Sequence, residues 1–395
     1  MIQVLPPLSL YVHVPWCVKK CPYCDFNSHT TKEVPEKAYL EQLKKDLLAD
    51  LIFVQGRALK SIFFGGGTPS LMSPEFFHEF LDFVRQHIEI NANTEITLEA
   101  NPGTTEASKF FGYRQAGINR LSLGVQSFQT DQLANLGRIH SGDDALIAVE
   151  QAKQAGFDNF NLDLMHGLPD QTLDTALADL QQALDLNPPH LSWYQLTIEQ
   201  NTEFFRHPPT LPEDESLWDI QLVGAELLKQ NNRHQYEVSA FALPGKEAQH
   251  NLNYWRFGDY LGIGAGAHGK VSFYKSSSGS EQLLTSISVI RYRKTRMPKD
   301  YLAANYNLQP KPSLRIGEEI IQPEDLPFEF MMNALRLTQG VDESLFTERT
   351  SLGISALEPH LSNLRKQGLL KESGLCPTAK GHLFLNDVLA NFTDS

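Results

Sequence analysis

Six short apolar runs alternate with longer amphipathic stretches through the first half of the chain, and this alternation limits the possible folds more than any other feature. SLYVHV (9–14), SIFFGG (61–66), EITLEA (95–100), RLSLGV (120–125), NFNLDL (159–164) and HLSWYQL (190–196) read as strands. YLEQLKKDLLADL (39–51) and TLDTALADLQQALDL (172–186) carry helical spacing and fit crossovers between them. Strands separated by helices pair in parallel, which predicts an α/β architecture. Six units are too few to close an eight-unit barrel. They suit an open, partial (β/α)6 TIM-like barrel whose lateral gap admits a large substrate, with the chemistry at the carboxyl ends of the strands.

CVKKCPYC begins where the first run ends, so Cys17, Cys21 and Cys24 fall on that rim. Three thiolates hold three irons of a four-iron cluster and leave the fourth iron open to a substrate or cofactor. A structural zinc site needs a fourth ligand, usually from a second close pair. The only other cysteine is Cys376, which reads as a packing residue, and the nearby histidines are His13 and His29. Four cysteines, three of them clustered, do not make a disulfide framework, and a reducing compartment keeps thiols available.

The 395 residues are enough for one barrel-sized domain and a smaller one. MIQVLPPLSL lacks the basic and apolar regions of a signal peptide, and no stretch reaches membrane-span length, so a cytoplasmic protein is expected. A net charge of -13 argues against general attraction to nucleic acid or anionic lipid, although RYRKTR (291–296) is locally basic.

Polar residues follow the other runs. GGGTP (65–69) either lets a ligand approach the backbone, with amides and carbonyls on offer, or simply makes a tight turn. Glu99 with Asn101 and Pro102 ends the third strand, Gln126 with Ser127 the fourth, and Asp163 with His166 the fifth. A single acid at such a place is as readily a helix cap, but recurrence after successive strands predicts one shared pocket. Arg138 in LGRIH reads either as the counter-charge of a bound carboxylate or as a surface helix residue.

CxxxCxxC after the first strand, GGGTP after the second, and the ANPGT, GVQSF and LDLMHGLP segments resemble the radical S-adenosylmethionine superfamily, in its oxygen-independent coproporphyrinogen III oxidase-like branch. The resemblance covers nearly the whole chain. The oxidases of the branch carry a further cysteine, in a CxxxCxxCxC pattern, where this chain has Phe26. That departure, together with HNLNYW (250–255), is most similar to the branch's haem chaperones.

The resemblance implies a [4Fe-4S] cluster on Cys17, Cys21 and Cys24, with S-adenosylmethionine chelating its open iron. Gly66, Gly67 and Thr68 would line the methionine end, and Tyr11, Glu99, Gln126, Arg138 and Asp163 match the remaining cofactor-contacting positions. Reductive cleavage of the sulfonium would release a 5′-deoxyadenosyl radical, and no catalytic side chain is assigned. Haem is implied as cargo, with His250 as axial ligand and Tyr254 and Trp255 against the macrocycle. Residues alone favour reading HNLNYW as a polar turn packing its aromatics, a preference that the resemblance reverses. The implied partners are acceptor haemoproteins and an electron donor such as flavodoxin or ferredoxin, with no nucleic acid. A homodimer and transient membrane association remain open. The competing reading is an oxidoreductase acting on a porphyrin precursor.

GIGAGAHG (262–269) places His268 after a glycine-rich strand, either near the cofactor pocket or in a close-packed turn. A basic and Ser-rich stretch at about 275–300 precedes DLPFEFMMNALRL and ISALEPHLSNLRKQGLL, which read as amphipathic helices, and CPTAKGHLFLNDVLANF, an extended piece followed by a last helix. This end resembles the family's winged-helix-like domain. The segment around Arg365 and Lys366 is thinly basic, which favours a protein-contact or lid role over DNA binding. The expected organisation is a radical SAM core with a haem-associated extension over 1–290, a linker over 291–325 and the small domain over 326–395.

Overall fold

The computed structural model describes residues 4–274, 287–304 and 315–393. The Ser-rich part of the 275–300 stretch, and residues 305–314 of the expected linker, lie outside them. The six expected strands form: β1 (Leu8–Val14), β2 (Leu59–Gly66), β3 (Ile90–Ala100), β4 (Arg120–Gln126), β5 (Phe160–His166) and β6 (His190–Gln195). They pair in parallel in chain order.

The described sheet continues past both edges of this core. β7 (His234–Glu237) and β8 (Ala240–Ala242) extend it beyond β6. On the other side β9 (Asp259–Ile263) joins β1 in parallel, followed by antiparallel β10 (His268–Tyr274), β11 (Ile287–Lys294) and β12 (Arg315–Ile320). The sheet is an open row from β12 to β7. Within the expected linker, residues 291–294 and 315–320 are paired into this sheet.

Helices cover the outer face because each strand buries alternate residues on that side. α1 (Glu36–Asp50) and α2 (Pro74–His87) pack beside β1 and β2, and α2 starts where the Ser73 hydroxyl accepts the Phe76 amide. Phe64 of β2 meets Phe77 and Phe80 of α2 edge-on, and Phe77 meets Tyr113 in the same way. Truncating one of these fully buried rings should cost about 3–5 kcal/mol. α3 (Gly142–Gln154) and α4 (Leu173–Asp185) each open with a capping box, at Ser141/Asp144 and Thr172/Thr175.

A second core joins the C-terminal helices to the far end of the sheet. Leu326, Phe330, Phe346, Leu361 and Val388 pack with Leu5, Phe257 and Val289, and the Phe257 and Phe330 rings lie 5.6 Å apart. Helices at Leu326–Ala334, Glu343–Thr350 and His360–Lys366 are accompanied by isolated antiparallel bridges at Val341–Leu375 and Leu370–Pro377. Among the described residues no helix is long and apolar enough to cross a membrane.

Candidate functional site

Parallel register brings the strand ends to one rim: Val14 stands beside Gly66, Glu99 beside Ser122, and His166 beside Gln195. The chain leaving β1 forms a two-residue parallel pairing, Trp16–Cys17 with His29–Thr30, that closes the cysteine loop on itself. Asn27 pins this loop to the turn between β9 and β10 and to the chain leaving β11. Its side-chain amide donates to the carbonyls of Ala265 and Arg296, both at 2.9 Å, and its own carbonyl lies 2.9 Å from His13 Nε2. Burial lowers the His13 pKa to about 4, so the ring is neutral, and Nε2 must carry the proton it gives to Asn27. His13 Nδ1 then accepts from the Tyr11 hydroxyl at 2.9 Å.

A cavity of about 570 Å³ holds all three clustered cysteines together with Thr68, Glu99, Asn101, Gln126, Arg138, Asp163 and Tyr194. One hydrogen-bonded chain runs through it. Thr68 Oγ1 donates to Cys17 Sγ at 3.4 Å and accepts from Asn101 at 3.3 Å. The Asn101 side-chain oxygen accepts from Arg138 at 2.7 Å, and Arg138 also reaches the Gly124 carbonyl at 2.7 Å and Cys21 Sγ at 3.6 Å. Arg138 is therefore not a surface residue, and among the described residues it meets Asn101, Gly124 and Cys21 rather than a carboxylate. Gln126 takes the left-handed conformation at φ 69°, and its side-chain oxygen accepts from Tyr194 at 2.7 Å. Asp163 accepts from Ser122 at 2.9 Å and from Asn161 at 2.7 Å.

The acids of this cavity are hard to ionise. Burial raises Glu99 to about 8, with Asp163 adding to the effect and the Gly66 amide, 3.1 Å away, opposing it. Burial also raises Asp163 against the hydrogen bonds of Ser192, Asn161 and Ser122. A cationic group placed between them would restore both carboxylates, as opposite charge does at close range.

The GGGTP backbone does not offer its amides to a ligand, as the sequence suggested it could. Gly66 donates to Glu99, Gly67 to the Val14 carbonyl and Thr68 to the Trp16 carbonyl, the last two at 2.7 Å. The glycines are needed for another reason. A Cβ on Gly66, which sits at φ 115°, would come within 2.6 Å of the His13 ring, and one on Gly67 within 2.5 Å of the Trp16 carbonyl. GGGTP thus seats the cysteine loop.

Burial pushes the thiols of Cys17 and Cys24 above their usual range, so both are held protonated until a metal displaces the proton. No three His, Cys, Asp or Glu side chains converge on a single-ion position among the described residues. A cubane does not require that, because its three thiolates each hold a different iron. Three thiols on one cavity, two of them receiving donors at sulfur, fit that group.

A second cavity of about 770 Å³ adjoins the first, and Phe26, Gly66, Glu99 and Asn251 line both. Its floor holds Tyr11, Phe63, His250, Tyr254 and Tyr260, and Arg293 and Arg296 also line it, both exposed. Tyr11, expected against the cofactor, thus belongs to this side. HNLNYW is a helix, α5 (Gln249–Trp255), not a turn. Its first amides, of Gln249 and His250, both donate to the Glu95 carboxylate at 3.1 Å. His250 is buried, with Nδ1 2.9 Å from Ser61 Oγ and the Phe63 ring 5.0 Å away. Tyr254 stands 5.0 Å from Tyr260. Trp255 departs from the expectation: it lines neither cavity, and the Arg336 guanidinium lies 4.5 Å over its ring, within the contact to the C-terminal helices. His268, at the start of β10, does line the aromatic cavity. Cys376 is buried away from the loop, as a packing residue would be.

Tyr194, Asn27 and Tyr260 were not singled out by the sequence. Alternation within HLSWYQL carried a signal for Tyr194, since buried Leu191 and Trp193 face the helices and turn Ser192 and Tyr194 inward.

Fold and cysteine cavity together define a radical SAM protein, and residues 11–183 match the Radical SAM superfamily while 321–384 match the HemN C-terminal domain. The chain is 50% identical over 394 residues to the heme chaperone HemW of Escherichia coli (strain K12) and 49% identical over 395 residues to that of Haemophilus influenzae. Each alignment covers 98% of both chains. It therefore belongs to the HemW family. Coproporphyrinogen III oxidase (HemN) from Escherichia coli shares the fold, with a TM-score of 0.79 at 24% identity over 98% of this chain and 90% of that one.

Proposed function

We propose that the protein is a haem chaperone: it holds haem in the aromatic cavity and hands it to acceptor haemoproteins, on a radical SAM core. The observation that carries this is α5, which brings His250 and Tyr254 to a cavity with an aromatic floor, adjoining the one that holds the cysteines. A neutral aromatic floor suits a macrocycle, and the exposed Arg293 and Arg296 suit its carboxylates. Burial lowers the His250 pKa to about 3, which keeps the imidazole neutral, with one ring nitrogen unprotonated and available to iron. Naming of the full-length relatives as heme chaperones supports the same reading. Phe26 lies where the two cavities meet, so at that junction the chain presents a ring where the oxidases present a thiol.

In the cysteine cavity, Cys17, Cys21 and Cys24 would hold a [4Fe-4S] cluster. Glu99, Gln126, Arg138 and Asp163 would bind S-adenosylmethionine, its amino group restoring the carboxylates and its carboxylate meeting Arg138. The chemistry available with both groups bound is one-electron reduction of a sulfonium. An electron donor such as flavodoxin or ferredoxin would approach at Lys19 and Lys20, exposed on the cysteine loop. Spectroscopic titration with haem tests the cargo site. Wild type should bind about one haem per chain, and His250→Ala should bind at least ten-fold more weakly with a shifted Soret band. Unchanged affinity and spectrum in the variant would remove His250 from the site.

A further inference from the structure

His250 is fixed by groups from three successive strands, and one of them determines which ring nitrogen carries the proton. Ser61 Oγ of β2 donates to Ser9 Oγ of β1 at 2.8 Å, and Ser9 also accepts from the Asn253 amide at 2.9 Å. A hydroxyl has one proton, and Ser61 has spent it. The Ser61 oxygen 2.9 Å from His250 Nδ1 can then only accept, so Nδ1 carries the hydrogen and Nε2 keeps its lone pair. No hydrogen-bond partner for Nε2 is found among the described residues. Glu95 of β3 fixes the backbone beneath the ring through the amides of Gln249 and His250.

We infer that Ser61, itself oriented by Ser9, is a positioning residue that holds His250 in the Nδ1–H form and so presents Nε2 as a ligand to the iron of the cargo haem. The inference rests on the proposed function. Its chemistry is general: a metal-bound imidazole donates its other N–H to a fixed acceptor, which sets the tautomer and makes the ligand more basic. The chain Ser9–Ser61–His250 supplies that acceptor against the parallel sheet, where Ser9 and Ser61 are fully buried.

Ser9 gives the idea a sign that packing alone would not. In Ser9→Ala the Ser61 hydroxyl loses its acceptor and can turn its proton onto Nδ1. The ring then shifts to Nε2–H, and coordination is blocked with His250 and Ser61 both intact. In Ser61→Ala, Nδ1–H simply loses its acceptor, leaving both tautomers populated.

The test begins without haem. Nitrogen-15 imidazole shifts of the histidine-labelled wild type should show Nδ1 protonated and Nε2 bare, a mixture in Ser61→Ala, and the reverse assignment in Ser9→Ala. Haem titration should then show about ten-fold weaker binding and an altered Soret band in both variants. A wild-type ring protonated at Nε2, or a tautomer and haem spectrum unmoved by both substitutions, would overturn the inference. Expected tautomers combined with haem binding that ignores His250→Ala would instead sink the haem-ligand assignment, and with it Ser61's role toward haem. Should Ser61→Ala not fold, Ser9→Ala alone decides, because only the relay predicts reversal.

Discussion

Glu99 ends β3 between the two cavities, partly open to them yet screened from bulk water, and its pKa of about 8 has a measurable consequence. The folded protein holds this proton above the ordinary value of 4.5, so the unfolded chain releases it first. Stability is therefore lost as pH rises from about 4.5 to about 8 and is level beyond. Glu99→Gln has no charge to bury, so its thermal midpoint should match wild type at pH 4 and exceed it by about 3 °C at pH 8.5. Equal midpoints at both pH values would show that Glu99 ionises freely in the fold. A carboxylate at a strand end was legible as a pocket residue in the sequence. Its protonation was not, because it depends first on burial in the folded pocket and then on Asp163, far away in the chain, against the opposing Gly66 amide. Arg138 shows the same limit: its place in LGRIH said nothing of Cys21, Asn101 or Gly124, which reach it only through the fold.

The β1–GGGTP junction reverses the usual reading of a glycine-rich loop. Its amides face into the protein, and its missing side chains make room for the His13 ring and the Trp16 carbonyl. A methyl group at Gly67 would press on the peptide just before Cys17, so Gly67→Ala should lose more than half of its iron and sulfide on anaerobic reconstitution, and S-adenosylmethionine affinity only in consequence. Full cluster content with weakened S-adenosylmethionine binding would return the glycine to the ligand's side. The six parallel strands were legible because apolar runs of strand length between amphipathic stretches leave few alternatives. α5 was not. HNLNYW has no N-cap side chain, and its helix start is held by Glu95, more than 150 residues earlier in the chain. Trp255 accordingly turned up against Arg336, in the turn after the helix Leu326–Ala334, a neighbour that no local pattern could name.

At the scale of the molecule, the parallel core carries the cysteine cavity, the β9–β12 extension builds the arginine-bearing side of the aromatic cavity, and the C-terminal helices pack on that extension and on α5. Cargo and cofactor would thus sit on neighbouring parts of one rim, with Phe26, Gly66, Glu99 and Asn251 between them. The extension was the least legible part, since its antiparallel strands lie beyond the βα alternation. The most direct test of the chaperone assignment is haem transfer under anaerobic, reducing conditions. Cluster-reconstituted protein loaded with one haem is mixed with a haem-free b-type haemoprotein, and the Soret spectrum of each is recorded after separation. The expected result is haem on the acceptor, with no protoporphyrinogen IX formed when coproporphyrinogen III is supplied in its place. Protein that retains no haem through gel filtration, yet turns over coproporphyrinogen III, would contradict the account and make the chain an oxidase.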